Sequence, residues 1–226
     1  MEKKVVKTYV SSKKLLQKRR TVRYFIDAVK QIQEEEGLDA VNIRKVADIA
    51  GYNSATIYNY FDNLEHLIFF ASMEYFREYI EELPLRLKDK TDSLERYRII
   101  WDCFLMHSFR YPNNYYAIFL AKEGERTRGY IDDYYRLYPL DKSKMSEDIK
   151  AMMSERDLFS RGNITARECI KQGYFSEKEG YVVNDIITYV FESFLFRVIH
   201  NGLDPDTAEA EIMRYIDSII EKYRLI

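Results

Sequence analysis

The sequence predicts an all-α protein with a small N-terminal helical domain followed by a larger helical domain. Eight Gly and four Pro among 226 residues leave too few chain breakers for a many-stranded sandwich or barrel. Apolar side chains recur at helical spacing along most of the chain, and polar capping residues precede several of these segments. A hydrophobic content of 46% beside 32% charged residues allows a buried core and excludes a wholly disordered chain.

The first helix is predicted over residues 18–36. Val22, Phe25 and Val29 lie on one apolar helix face, and Gly37 suits a left-handed helix end.

Residues 1–17 are predicted to form a basic, flexible arm ahead of this helix. Residues 1–23 contain nine Lys and Arg and one acidic residue, Glu2. A basic arm suits binding to a polyanion, but a solubilising tail has the same composition, so charge alone leaves both interpretations open.

Two short helices follow the first one. The second begins after the capping residue Asn42 and ends at Gly51, and the third is predicted over residues 54–60 after the cap Asn53. A short helix, a turn that contains Gly and a second short helix are the elements of a helix-turn-helix motif.

The fourth helix is predicted to begin after Asp62 or Asn63 and to end at Pro84. Breaks are expected at residues 124–129 and 173–180. The remaining helices are predicted over residues 94–109, 115–122, 131–138, from Ser143 or Ser146 to about residue 172, 181–200 and 206–223.

The outer face of the third helix carries small and polar side chains, which would let the helix approach the floor of a DNA major groove. The candidate residues for contacts in the groove are Asn53, Ser54, Ala55, Thr56 and Asn59. Arg44, Tyr58 and Tyr60 are candidates for contacts with phosphate oxygens. The predicted partner of this domain is therefore double-stranded DNA.

This segment resembles the DNA-binding motif of the TetR family of bacterial transcriptional regulators, T-x-R-x-I-A-x-x-A-G-x-S-x-x-T-L-Y-x-Y-F-x-x-K-x-x-L. The residues that match are Arg44, Val46, Ala47, Ala50, Gly51, Thr56, Ile57, Tyr58, Tyr60, Phe61 and Leu67. Asn42 and Asn53 replace Thr and Ser and keep the capping chemistry. Leu64 stands where the family has a Lys that meets a DNA phosphate, which puts that contact in question.

The resemblance implies a homodimeric regulator, in most of the family a repressor, that binds a palindromic operator and responds to a small-molecule effector. It implies a helix-turn-helix DNA-binding domain over residues 18–66 and an effector-binding and dimerisation domain over residues 67–226. The identity of the effector, the operator sequence and the number of dimers on each operator do not follow from the sequence.

The resemblance implies an effector pocket among the aromatic residues of the middle helices, although ordinary core packing is the favoured explanation for any single one of them. The candidate pocket residues are Trp101, Phe104, His107, Tyr115, Tyr116, Phe119, Tyr134 and Tyr135. Glu123, Asp132 and Asp133 could favour a cationic effector, and solvated surface charge is the alternative for these three.

The helix over residues 181–200 is apolar around nearly its whole circumference, which predicts burial on two sides. It is either a central core helix or a helix that docks, together with the last helix, on its symmetry mate. The resemblance favours the dimer. The candidate interface residues are Ile187, Phe191, Phe194, Ile212, Ile216 and Ile219.

Other classes of function find less support in the sequence. No hydrolase, phosphate-binding or dinucleotide-binding motif occurs, so we expect neither an enzyme nor a cofactor. Cys103 and His107 lie four residues apart but lack a third ligand, so no metal is expected. The two Cys and the absence of a long uncharged apolar segment predict a cytoplasmic protein without contact to membranes. The remaining alternative is a ligand-binding or interaction protein that has kept the fold and lost specific DNA binding.

Overall fold

The computed structural model describes residues 2–121 and 125–226, with side chains over residues 13–121 and 129–226. All regular structure in this part of the chain is helical, including a 3₁₀ turn at Leu38–Ala40. The helices are α1 (Glu2–Glu36), α2 (Ile43–Ala50), α3 (Ser54–Ile57), α4 (Leu64–Arg86), α5 (Ser93–Arg110), α6 (Pro112–Phe119), α7 (Glu125–Leu137), α8 (Glu147–Ser154), α9 (Leu158–Lys171), α10 (Glu177–Asn201) and α11 (Pro205–Tyr223). The prediction of an all-α fold is confirmed.

The chain forms two compact units, and each is built from two segments. Unit 1 contains Met1–Met73 and Gly124–Leu140, and unit 2 contains Glu74–Glu123 and Asp141–Ile226. The boundary therefore falls inside α4 and not at residue 66, because the first turns of α4 complete the core of unit 1 with side chains such as Phe70.

The core of unit 1 forms where α2 and α3 pack beside the apolar face of α1. Phe25 of α1, Val46 of α2 and Ile57 of α3 are all fully buried. The α1 helix begins at Glu2, 16 residues before the predicted start at residue 18. The basic segment is thus continuous with α1, and the first 36 residues contain neither Gly nor Pro that would end a helix between them.

The α7 helix belongs to unit 1, which the sequence did not indicate. Tyr134 is fully buried with its ring 5.4 Å from that of Phe70, and the Tyr138 hydroxyl donates to the Arg19 carbonyl oxygen at 3.2 Å. The helix already includes residues 125–129, where a break was predicted, because the single Gly129 there costs a helix only about 1 kcal/mol. Gly124 and Glu123 lie outside the described residues.

Unit 2 places α5 and α9 beside α10. Gly162 permits a close approach between α9 and α10, since a β-carbon at this position would lie 1.8 Å from Asn184 Oδ1. The Asn184 amide fills the contact and donates to the Phe159 carbonyl oxygen at 3.1 Å and to Asn163 Oδ1 at 3.0 Å. This approach fixes the position of the face of α9 that points into the core.

Two predicted helix ends in unit 2 are wrong for identifiable reasons. Pro84 does not end α4, which continues to Arg86, because a Pro removes only its own N–H and the bond from the Leu87 N–H to the Leu83 carbonyl oxygen follows at 3.0 Å. The helix predicted over residues 143–172 is two helices. Asp157 begins the second one by accepting the Ser160 N–H at 2.8 Å.

The last two helices pack on each other and α11 packs on α5. Ser176 caps α10 and its hydroxyl also donates to Glu179 Oε2 at 2.7 Å, which moves the start of the helix to Glu177 from the predicted residue 181. None of the described helices is both long and apolar enough to cross a membrane.

Candidate nucleic-acid interface and internal cavity

Two Asn side chains fix the starts of the helices in the helix-turn-helix motif. Asn42 Oδ1 accepts the Lys45 N–H at 3.0 Å, and Asn53 Oδ1 accepts the Thr56 N–H at 2.9 Å. Each cap satisfies one of the N–H groups that a helix leaves unpaired at its first turn. Both predicted caps are confirmed.

The turn between α2 and α3 depends on Gly51. Its φ of 74° and ψ of 29° lie in the left-handed region, where a β-carbon would be strained. After the turn, the Tyr52 N–H donates to the Ala47 carbonyl oxygen at 2.9 Å.

The α3 helix is shorter than predicted. It ends at Ile57, and residues 58–60 continue as tight turns in which the Asn59 N–H donates to the Thr56 carbonyl oxygen at 3.1 Å. The Tyr60 N–H donates to the Ile57 carbonyl oxygen at 2.9 Å. Within residues 54–60, Ile57 is fully buried and the other side chains are half-buried or exposed.

The candidate DNA contacts differ in their exposure. Arg44, Ala55 and Asn59 are exposed, and Tyr58 is 58% exposed with its hydroxyl available to a phosphate. Ser54 is half-buried at the start of α3.

Three of these candidates also hold the domain together. The side-chain oxygen of Asn53 caps α3, and the Thr56 hydroxyl donates to the same oxygen at 3.0 Å. Thr56 can therefore offer a base edge its methyl group and its oxygen lone pairs while its proton stays in the cap. Tyr60 is half-buried, with its ring 5.9 Å from that of Phe25.

The start of α4 contains His66, which the sequence did not single out. It is 3% exposed, its ring stacks on Tyr130 of α7 at 4.0 Å, and its Nδ1 accepts the Asp62 N–H at 3.2 Å. Burial lowers the pKa of His66 below its ordinary value, against the opposing charges of Asp62 and Asp133.

Asn63 is the residue that caps α4. Its Oδ1 accepts the His66 N–H at 2.8 Å and its amide donates to the Tyr130 hydroxyl at 3.2 Å. Leu64, in the position of the expected Lys, is half-buried beside this cap. Asp132 is exposed and Asp133 is half-buried on α7, so neither contributes to a pocket in unit 2.

Unit 2 contains a small cavity with a volume of about 30 Å³, enough for one or two water molecules. Its lining is mostly apolar with three polar side chains. The lining residues are Tyr79, Ile100, Trp101, Phe104, Met152, Leu158, Arg161, Gly162 and Thr165. Trp101 and Phe104 were predicted from the sequence.

The other predicted pocket residues lie elsewhere. Tyr115 is fully buried beside Phe104, and Tyr116 is 38% exposed. Tyr134 and Tyr135 belong to unit 1 and so take no part in this cavity.

His107 lies in a polar cluster with Glu82 and Arg86. His107 Nε2 is 2.8 Å from Glu82 Oε2, and Arg86 Nε is 2.6 Å from Glu82 Oε1. Burial opposes ionisation of Glu82, but hydrogen bonds from Arg86 and His107 outweigh it and lower the pKa of this carboxyl.

Glu82 lies beside Cys103 and His107 and provides a third candidate metal ligand, which the sequence analysis did not find. The ligand atoms of the three residues lie within 4.8 Å of one another. Two features disfavour a cation there. Arg86 already neutralises the carboxylate, and burial raises the pKa of the Cys103 thiol to about 12, so that the thiol stays protonated.

Most of the predicted dimer residues pack inside unit 2. Ile187, Phe191 and Phe194 on α10 and Ile212 and Ile216 on α11 are buried within unit 2 itself. Ile219 is half-buried. When a helix is apolar around its whole circumference, the sequence does not tell which face points inwards. In unit 2 the face with Ile187, Phe191 and Phe194 packs into the core.

The opposite face of α10 also carries apolar side chains, of which Val182 and Ile186 are half-buried. Val182, Ile186, Tyr189 and Phe196 follow one another at helical spacing, and Tyr189 and Phe196 are 62% and 53% exposed. Tyr215 on α11 is 50% exposed. We call the five residues the outer stripe.

Unit 1 contains a helix-turn-helix motif, since the short capped helices α2 and α3 are joined by Gly51 in a left-handed conformation and pack beside α1. The family model of the bacterial regulatory proteins of the tetR family matches residues 25–69, from α1 into α4. Over these residues the chain is similar to the DNA-binding domain of TetR-family regulators. It is 30% identical over 84 residues to the fatty acid metabolism regulator protein of Bacillus subtilis (strain 168), an alignment that covers 37% of this chain and 43% of that protein.

Solved structures support the fold over most of the chain. A TetR-family transcriptional regulator from Syntrophomonas wolfei matches with a TM-score of 0.61 at 11% identity, covering 89% of this chain and 95% of that one. The FadR repressor of Thermus thermophilus, solved with lauroyl-CoA, matches with a TM-score of 0.57 at 13% identity, covering 86% and 92%.

Proposed function

We propose that the protein is a transcriptional repressor that binds a palindromic operator as a homodimer and releases it when a small molecule enters unit 2. The observation that carries the proposal is the surface formed by residues 54–60. This surface presents small or polar groups for a major groove, with the exposed hydroxyl of Tyr58 at its edge.

The dimer is supported by the outer stripe. Single exposed apolar residues are ordinary on protein surfaces, but exposed aromatic residues at helical spacing on two neighbouring helices are typical of interaction sites. A two-fold axis across this face would pair four helices. Two recognition surfaces related by that axis would meet major grooves roughly 34–36 Å apart, which is why the operator should be a palindrome.

Effector control is supported by the cavity of unit 2. The cavity lies among α4, α5, α8 and α9, and α4 is the helix that continues into unit 1. A ligand that favours one arrangement of α4 over another would shift the population able to bind DNA by its difference in affinity. The names of the relatives suggest fatty acids and their derivatives as the first compounds to test.

The experiment is selection of bound sequences from a randomised duplex library with the purified full chain, followed by a salt titration on the winners. We expect a two-fold palindrome whose affinity falls steeply with salt, because phosphate contacts release counterions. A folded, dimeric chain that retains no sequence at physiological salt would refute the proposal and favour an interaction protein that has lost its DNA.

A further inference from the structure

The α9 helix carries a positive charge on its buried face. Arg161 lies between Leu158 and Thr165 on the side that faces the core, and it is only 6% exposed. Burial of a guanidinium is costly unless partners compensate its charge.

The partners of Arg161 are all neutral. Its Cζ lies 5.1 Å from the ring centre of Phe76 and 5.6 Å from that of Phe119, and its Nη2 donates to Met153 Sδ at 3.1 Å. It also shares a hydrogen bond with the Tyr79 hydroxyl. Among the residues whose side chains the structure describes, no carboxylate lies within 4.0 Å of this guanidinium.

Another arginine of unit 2 shows the ordinary arrangement. Arg96 has a side chain that is 15% exposed, and it is paired with Asp148 at 2.6 Å. Arg161 is more deeply buried and has only the faces of aromatic rings, a thioether and a phenol around it. The core of unit 2 therefore holds one positive charge that lacks a counter-charge among the described residues.

This charge faces the cavity. The polar side chains that line the cavity are Arg161, Tyr79 and Thr165. The apolar side chains are Ile100, Trp101, Phe104, Met152 and Leu158. Burial raises the pKa of Tyr79 well above its ordinary value, so the phenol stays a neutral hydrogen-bond donor. The Tyr115 hydroxyl, buried and without a partner, is near enough to feel the charge of Arg161.

We propose that the effector is an organic anion with one carboxylate on an apolar body, and that Arg161 binds the carboxylate. The planar guanidinium matches a carboxylate with two parallel hydrogen bonds, and the Tyr79 hydroxyl is placed to donate a third. A single buried cation balances one negative charge, which favours a carboxylate over a doubly charged phosphate. The inference rests on the proposed function in taking unit 2 as the effector domain.

The size of the cavity adds a consequence for regulation. A volume of about 30 Å³ admits the carboxylate but not the apolar body behind it. The cavity must enlarge to enclose that body, and Met152 in its lining is the side chain best able to repack. The ligand thus binds a more open state than the one observed, which is the condition for it to shift a population.

The test compares carboxylates with their neutral amides on the full chain. Octanoate with octanamide, and phenylacetate with phenylacetamide, are titrated by calorimetry and by thermal shift. We expect both acids to bind and both amides to bind at least about tenfold more weakly, because the amide lacks the charge. This comparison needs no variant, so it does not depend on the folding of a mutant.

Variants then locate the site. Arg161→Met should lose about tenfold or more in affinity for the acids, and Arg161→Lys should keep part of it. Arg167→Met, on the exposed side of the same helix, is the matched control and should bind as the parent chain does. Equal binding of acid and amide, or full affinity in Arg161→Met, would overturn the proposal, as would lauroyl-CoA binding that is indifferent to Arg161 while the acids do not bind.

Operator affinity measured with and without the acids distinguishes this inference from the proposed function. Acids that bind through Arg161 and weaken the operator complex support both. Acids that bind through Arg161 without changing operator affinity support the anion site and refute effector control. A selected operator in a chain that binds no acid supports DNA binding and overturns the anion site.

Discussion

The contacts of single side chains in unit 1 show which of them the fold uses and which remain available to the proposed DNA contact. The Asn53 side chain caps α3 and the Tyr60 ring packs beside Phe25, whereas the Tyr58 side chain is exposed to solvent. A phosphate contact is therefore best tested at Tyr58.

Tyr58→Phe should weaken binding to the selected operator and to unrelated duplexes by a similar factor of about two to ten, since one hydrogen bond contributes roughly 0.5–1.5 kcal/mol. Fluorescence anisotropy on both duplexes measures this. Tyr116→Phe, 38% exposed on α6, is the control for loss of a surface hydroxyl. A loss confined to the operator would make Tyr58 a reader of bases.

His66 should make stability depend on pH. Its folded pKa lies below the value of 6.5 expected in the unfolded chain, so between these two values the unfolded chain binds more protons. The free energy of unfolding should fall as pH decreases from about 6.5 towards the folded pKa and level off below it.

Urea denaturation between pH 5 and pH 8 gives the slope, which His66→Phe should reduce. His200→Asn, which removes an exposed His, is the control variant. An identical pH profile in His66→Phe and the parent chain would show that His66 does not titrate across this range.

At the scale of elements, caps and turns were the most predictable features. Asn42, Gly51 and Asn53 act as their chemistry indicates, because capping depends on residues adjacent in sequence. Arg161 was missed, although its place at helical spacing from Leu158 and Thr165 is visible in the sequence as a charge on an apolar face. The position of α7 and the inward face of α10 depend on contacts distant in sequence, which periodicity cannot supply.

Two Gly→Ala variants should have opposite effects on stability. Gly51→Ala forces a β-carbon into the left-handed turn and should cost about 1–2 kcal/mol. Gly129→Ala lies in the open on α7, where nothing comes within 4 Å, and should stabilise by about 0.5–1 kcal/mol. Urea denaturation of both variants checks the pair, and a stable Gly51→Ala would mean that the turn can be rebuilt.

At the scale of the whole molecule, the outer stripe connects the fold to its assembly. Its aromatic residues, Tyr189, Phe196 and Tyr215, each expose half or more of their surface and so add little to the core of unit 2. A second copy of the chain that covered these residues would remove their apolar surface from water and so stabilise a dimer.

Tyr189→Glu combined with Phe196→Glu should shift the chain from dimer to monomer and reduce operator affinity by tenfold or more, since one half-site contributes much less than two. Sedimentation velocity gives the mass. Leu85→Glu, at a 63% exposed apolar position on α4, is the matched control. A double variant that stays dimeric would place the interface on another face.

The interleaving of the two units limits how they can be exchanged between relatives. A cut at Met73 severs α4 in the middle and leaves unit 1 without α7, whose Tyr130 and Tyr134 close its core. A chimaera that joins this DNA-binding unit to a foreign sensor must therefore carry residues 125–140 as a second transplanted segment. Recombination at one crossover point, which suffices for proteins whose domains follow one another along the chain, would leave the core of unit 1 without its own α7.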